Sequence, residues 1–173
     1  MAIMRTLLIL RHAKSDWHAG AGNDFDRPLS RRGRHDGLRM GKWMQSRDLI
    51  PEAIISSPAK RTRQTVKRIC QELCPDMENI ILDESLYLAN LHDLLVALRY
   101  CPDQVTTLLL IGHNPGLEEL LLYLAGKSVP EPADGKLLPT ATLAELRLEA
   151  GWNDLLPGSA HLVAITRPKN LPD

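Results

Sequence analysis

The sequence predicts an α/β fold: a three-layer sandwich with a mainly parallel central sheet and helices on both faces. Two observations carry this prediction. Short apolar runs alternate with stretches of helical periodicity along the chain. The first run, residues 7–10, is continuously apolar, as expected of a strand covered on both faces. A length of 173 residues suits one domain with a substantial core. No internal repeat or linker divides the pattern, so residues 1–173 are expected to form a single domain.

Each element follows from local signals. Residues 7–10 make the first strand, which stops at Arg11-His12, and a polar, glycine-containing loop covers residues 13–29. Ser30 is the expected N-cap of a helix whose apolar stripe is Leu38, Met40, Trp43 and Met44, reaching toward Leu49 and ended by Pro51. Residues 53–57 form a second strand, stopped by Pro58. Residues 59–74 are helical, with Val66, Ile69, Cys70 and Leu73 on one face, until Pro75. Residues 80–82 read as a third strand, residues 91–99 as a helix, and residues 105–111 as the strongest strand in the chain. Pro115 sits at the start of a helix carrying Leu117, Leu120, Leu121 and Leu124 to Gly126. A Pro/Gly-rich loop over residues 127–139 precedes two last strands, 142–148 and 161–166, joined by a turn around residues 151–158.

Composition excludes several function classes. A formal net charge of zero gives no ground for a general nucleic-acid or membrane binder. Two local basic groups, Arg31, Arg32 and Arg34, then Lys60, Arg61, Arg63, Lys67 and Arg68, read chiefly as solvated helix faces that could steer an anion. Cys70, Cys74 and Cys101 lack a Cys-x-x-Cys or a nearby His pair and read as reduced core residues. The apolar N-terminal stretch is too short for a signal peptide, and no segment approaches a membrane span, so a cytoplasmic location is expected.

In a sheet of this kind ligands bind outside the carboxyl ends of the strands. Arg11-His12 closes the first strand, Ser57-Pro58 with Arg61 closes the second, and Gly112-His113-Asn114 closes the strand over residues 105–111. Two histidines and two arginines, far apart in sequence, are therefore expected on one rim. This set suits phosphoryl transfer. Arginine's planar fork stays charged and binds phosphoryl oxygens in pairs, which assigns Arg11 and Arg61 to phosphate binding. Backbone amides at the start of the helix after Ser57 are expected as further donors. Neutral imidazole is a nucleophile at neutral pH, which suits His12, and His113 can donate to phosphoryl oxygens. Metal is not expected, because the histidines' neighbours are arginines rather than carboxylates or thiolates. Lys14, Ser15 and Asn114 are possible substrate contacts; Lys14 and Ser15, with Asp16, read otherwise as part of a solvated loop, and Asn114 could orient His113 or start the following helix. His18, His35, His92 and His161 read as structural or surface residues.

Arg11-His12 after a hydrophobic strand, Ser57-Pro58-x-x-Arg61-x-x-Gln64-Thr65, and Gly112-His113-Asn114-Pro115 together resemble the histidine phosphatase superfamily, relatives of cofactor-dependent phosphoglycerate mutase. Asp26-Arg27-Pro28-Leu29-Ser30-x-x-Gly33 is similar to a segment of its small SixA-type phosphohistidine phosphatases. The resemblance implies a phosphoglycerate mutase-like fold and an enzyme that uses no metal or organic cofactor. His12 would attack phosphorus and become transiently phosphorylated, with Arg11, Arg61 and His113 binding the phosphoryl oxygens.

Two departures qualify it. The superfamily usually has Arg-His-Gly where this chain has Ala13. Phosphomonoesterase members place a glutamate general acid where this chain has Leu86-Tyr87-Leu88; Glu84 is the nearest substitute. An alkoxide leaving group needs such an acid more than an imidazole does. The connection over residues 83–104 is about twenty residues, mostly one helix, too short for a sizeable lid. Both features favour a phosphohistidine-bearing phosphorelay or phosphotransfer protein as substrate. A small phosphate ester is the alternative, and a noncatalytic phosphate-binding module is a third reading.

Overall fold

The computed structural model describes residues 3–73 and 77–172. The expected end of the second helix at Cys74 and Pro75 lies outside these residues, as does the reading of Cys74 as a core thiol. The six strands are β1 (Arg5–Arg11), β2 (Ala53–Ser56), β3 (Ile80–Leu82), β4 (Thr107–Gly112), β5 (Leu143–Leu148) and β6 (Ala160–Thr166). The four α-helices are α1 (Arg31–Ser46), α2 (Lys60–Leu73), α3 (Leu91–Arg99) and α4 (Gly116–Ala125). One sheet has the order β3-β2-β4-β1-β5-β6. Its first four strands are parallel neighbours, while β5 pairs antiparallel with both β1 and β6. The sheet is thus mixed, its parallel half extended by a terminal hairpin.

Alternation along the strands builds the three layers. Leu7 and Ile9 of β1, with Leu108 and Leu110 of β4, face Leu94, Leu98, Leu117, Leu120 and Leu124 of α3 and α4. Leu8, Leu10, Leu109 and Ile111 face Met40, Met44, Val66 and Ile69 of α1 and α2. Strands covered on both sides therefore need apolar residues at every position, which explains the unbroken run in β1. Fully burying each such side chain contributes roughly 1.5–3 kcal/mol.

Helix α1 begins where expected, with Ser30 accepting a hydrogen bond from the Gly33 amide. Its buried face differs from the expected stripe. Leu38 and Trp43 are only half-buried, whereas Asp36, Gly37 and Gly41 are buried beside Met40 and Met44. The reason is close helix packing: a Cβ on Gly41 would stand 3.0 Å from the Ile69 carbonyl oxygen of α2. Strand β4 starts two residues later than expected, because the Glu52 carboxylate accepts hydrogen bonds from the Thr106 amide (2.5 Å) and hydroxyl (3.0 Å). The turn between β5 and β6 contributes to the core. Trp152 is fully buried and its indole N–H donates to the Val105 carbonyl at 2.9 Å. Cys101 is buried and its thiol is pushed up to about 11 by burial, while Cys70 is half-buried.

Candidate active site

The parallel register brings the chemistry-bearing residues to one edge. Arg11 pairs with Gly112, so β1 and β4 release His12 and His113 side by side, and the His12 amide donates to the Gly112 carbonyl at 3.1 Å. Ser56 of β2 pairs with Ile111, which places Ser57 at the same edge, its amide bonded to the Ile111 carbonyl at 3.1 Å. Arg61 follows in the first turn of α2. The structure therefore gathers Arg11, His12, Arg61 and His113. The imidazole centroids are 5.2 Å apart, and Arg61 Nη2 lies 3.3 Å from His113 Nδ1.

Hydrogen-bond chemistry fixes both tautomers. His12 Nδ1 is 2.8 Å from the Ala13 carbonyl oxygen, which only accepts, so Nδ1 carries the proton. In the neutral ring this leaves a lone pair on Nε2. Arginine only donates, so His113 Nδ1 accepts from Arg61, and His113 Nε2–H donates to Ser57 Oγ at 2.8 Å. Burial drives the His12 pKa down to about 3. The charges around His113, Arg61 and Arg11 add to this effect, against the bond to Ala13. Burial, then Arg61, pushes His113 down to about 4, with Asp24 opposing and Arg11 and Arg27 assisting. Both rings are neutral at neutral pH.

Asp24 organises the arginines. Burial would raise its pKa, but hydrogen bonds from Arg27 and Tyr87, with the charge and hydrogen bond of Arg61, hold it well below the usual carboxylate range. Arg61 is 2% exposed and bonds both the Asp24 carbonyl (2.7 Å) and its carboxylate (2.9 Å). Arg27 binds the other carboxylate oxygen at 2.6 Å, and the Tyr87 hydroxyl donates to the carboxylate at 2.8 Å. Tyr87 also presents its ring edge-on to His113, with centroids 5.6 Å apart. Arg11 donates to the Leu138 carbonyl at 3.0 Å. Arg11 Nε and Arg61 Nε are buried with no hydrogen-bond partner among the described residues.

The remaining expected residues are placed as follows. Ser15 is buried, its hydroxyl accepts from Arg27, and its backbone bridges Leu29; it supports the loop. The Lys14 side chain is exposed, while its carbonyl accepts from the Ser30 amide (2.9 Å) and hydroxyl (3.0 Å). Asn114 donates to Glu118 at 2.9 Å and to the Leu138 carbonyl at 3.0 Å, so it ties down the loop after α4. Two of the amides expected as donors at the start of α2 are already committed. Ala59 N–H donates to Ser57 Oγ at 3.3 Å and Lys60 N–H to the Phe25 carbonyl at 2.9 Å, because the 13–29 loop folds over the helix start. Glu84 is exposed, and Leu88 is 58% exposed with a positive φ of 51°. His18, His35, His92 and His161 are all exposed.

Sequence reasoning gave no site role to Asp24 or Tyr87, and it named Ser57 and Thr65 as parts of a motif without the contacts their hydroxyls make. Thr65 Oγ1 accepts the Ala13 amide at 3.0 Å, which anchors the residue after His12 to α2. Asp24 had a weak signal, being one of several acids in a loop rich in polar residues. Tyr87 sat inside a segment read only for its missing glutamate.

Comparison with known proteins places this geometry in a family. Residues 7–87 match the model of the histidine phosphatase superfamily, branch 1. An uncharacterized chloroplastic protein of Arabidopsis thaliana is 34% identical over 136 residues, 74% of this chain and 62% of that protein, so the chain spans less than two thirds of its length. An uncharacterized protein of Mycobacterium tuberculosis is 32% identical over 164 residues, 92% of this chain and 100% of the relative. The solved structure of a candidate phosphohistidine phosphatase SixA from Agrobacterium tumefaciens superposes with a TM-score of 0.80 at 27% identity, covering 95% of this chain and 98% of that one. The matched family segment contains Arg11, His12 and Arg61, and the structural likeness extends over β4 to β6. The chain belongs to the histidine phosphatase superfamily and is SixA-like in fold.

Proposed function

We propose that this chain removes phosphate from phosphohistidine on a phosphorelay or phosphotransfer protein, with His12 as nucleophile. The observation that carries the proposal is the pairing of a free His12 Nε2 lone pair with buried guanidinium donors, next to a carboxylate that has no proton to give. His12 Nδ1–H is held by the Ala13 carbonyl, which aims the ring and leaves Nε2 to attack. Arg11 and Arg61, whose buried Nε–H groups have no partner among the described residues, offer donors to the equatorial oxygens, and His113 joins them by exchanging its Ser57 partner for a phosphoryl oxygen. The P–N bond to His12 forms as the P–N bond to the substrate imidazole breaks. Water then attacks the phosphohistidine on His12 and releases inorganic phosphate.

The substrate class follows from the acid. Asp24, the carboxylate in contact with Arg61, is held ionised, and Glu84 is exposed on a 3-10 turn, Glu84–Leu86. An alkoxide leaving group would need a proton from such a residue, whereas an imidazole can take its proton from water. The likeness to a SixA structure supports the same substrate class.

The test is turnover of a 32P-labelled, histidine-phosphorylated phosphotransfer protein, quenched in alkali during the reaction. The expected result is an alkali-stable, acid-labile phosphoenzyme that is absent from His12→Ala. A panel of phosphomonoesters runs in parallel. Strong selectivity for one small ester would overturn the substrate assignment, and undiminished turnover by His12→Ala would overturn the mechanism.

A further inference from the structure

The loop between α4 and β5 does not hang free. Arg167, just after β6, grips the Asp134 carboxylate with bonds of 2.6 and 3.1 Å and also donates to the Lys136 carbonyl. Held this way, the loop forms one wall of a cleft of about 200 Å3, whose charged lining is Arg32, Asp134, Lys136, Arg167 and Lys169. Asp134 is kept ionised by Arg167 and the Lys136 backbone. Asp36 pairs with Arg32 at 3.3 Å. Four cations against these two carboxylates leave the cleft with an excess of two positive charges, in a chain whose formal net charge is zero.

The cleft adjoins the candidate active site. Pro139 and Thr140 line it. The preceding residue, Leu138, accepts from Arg11 and Asn114, and the following residue, Ala141, donates to the carbonyls of Arg11 and His12 at 3.1 Å. On the far side Arg32 precedes Gly33, which is packed against the backbone of Lys14. The segment from Leu138 to Ala141 thus joins the basic cleft to Arg11 and to the backbone of His12.

The arrangement of the cations indicates what they meet. A compact anion such as one phosphate needs several free donors converging on a point, and the Arg167 fork is already turned onto Asp134. What remains outward is dispersed: Arg32 and Lys169 side chains are 75% and 61% exposed, Lys169 reaches Asp134 only at 3.8 Å, and Lys136 has no acidic partner among the described residues. Spread, solvated cations match spread carboxylates on a protein surface.

We infer that this cleft docks an acidic segment flanking the phosphohistidine of the substrate protein. The inference rests on the proposed function. It assigns substrate selection to Lys136, Lys169 and Arg32, and leaves bond breaking to the residues on the rim.

The experiment measures kcat/KM on three substrates. One is a histidine-phosphorylated phosphotransfer protein with acidic residues flanking its phosphohistidine. The second is the same protein with those residues changed to glutamine, and the third is free phosphohistidine. The Lys136→Glu/Lys169→Glu variant should lose about tenfold on the acidic protein and flatten its salt dependence. It should stay within about twofold of the unsubstituted enzyme on free phosphohistidine, which also shows that the variant is folded. Lys136→Gln/Lys169→Gln should give a smaller loss in the same direction. On the glutamine-substituted protein the variants and the unsubstituted enzyme should converge. Unchanged turnover of the acidic protein, or an equal loss on all three substrates, would overturn the docking surface alone. Failure of the unsubstituted enzyme to turn over any of them would overturn the proposed function and the docking role with it.

Discussion

Lowering the pH from 7 to 5 should destabilise this protein through the two rim histidines. Both are nearly inaccessible, His12 at 7% and His113 at 4%, with pKa values near 3 and 4 in the folded chain. In the unfolded chain each titrates near 6.5. A histidine with a lowered folded pKa contributes stability above its unfolded pKa and loses it as pH falls toward the folded one. At pH 5 the unfolded state binds both protons and the folded state binds neither, so each histidine removes about 2 kcal/mol relative to pH 7. The pair removes about 4 kcal/mol, a large share of a typical domain's stability. Asp24 adds little in this window, because its depressed pKa acts only below the unfolded carboxylate value near 4. The exposed histidines 18, 35, 92 and 161 have no comparable burial. Urea unfolding followed by tryptophan fluorescence at pH 7, 6 and 5 measures the effect. His12→Asn and His113→Asn should each remove about half of the acid-dependent loss, whatever they do to stability at pH 7. A flat pH profile in the unsubstituted protein, or a full slope in both variants, would refute the reasoning.

Three further outcomes follow from the same structure. A Cβ at Gly33 would overlap the Lys14 carbonyl oxygen and stand 2.8 Å from its carbon; Gly33→Ala should cost about 1–3 kcal/mol in thermal or urea unfolding and lower kcat/KM, because the displaced backbone begins two residues after His12. Asp24→Asn leaves the buried Arg61 without its counter-charge. Breaking a fully buried pair costs about 3–5 kcal/mol, but the Asp24 side chain is 40% exposed, so a loss of about 1–2 kcal/mol is expected, together with a higher KM; unchanged stability and kinetics would count against its organising role. Activity should survive EDTA, since the proposed chemistry uses only side chains, and a strict requirement for added Mg²⁺ or Zn²⁺ would contradict the mechanism.

The sequence was legible wherever function depends on where strands end. Arg11, His12 and His113 leave strands whose apolar runs are visible locally, and the parallel order of such strands dictates a common rim. Ser30 was legible for a similar reason, since an N-cap is decided by the residues beside it. The 13–29 loop was not, because its bonds run to partners far along the chain: Leu29 to Gln64 at 2.7 Å, Asp24 to Arg61 and Tyr87, and Ala13 to Thr65. The small face of α1 was hidden too, because whether glycine or leucine turns inward depends on how closely α2 approaches.

By itself, then, the sequence determined the α/β class, the element order and four rim residues, since periodicity and strand termini are local properties. Tertiary structure decided the electrostatics among them. Only the folded loop could show that Asp24 is shared by Arg27, Arg61 and Tyr87, that both histidines are buried neutral with defined tautomers, and that a basic cleft adjoins the segment bonded to the backbone of His12. Charge pairing and desolvation depend on which distant groups are brought within a few ångströms, and no local pattern carries that information.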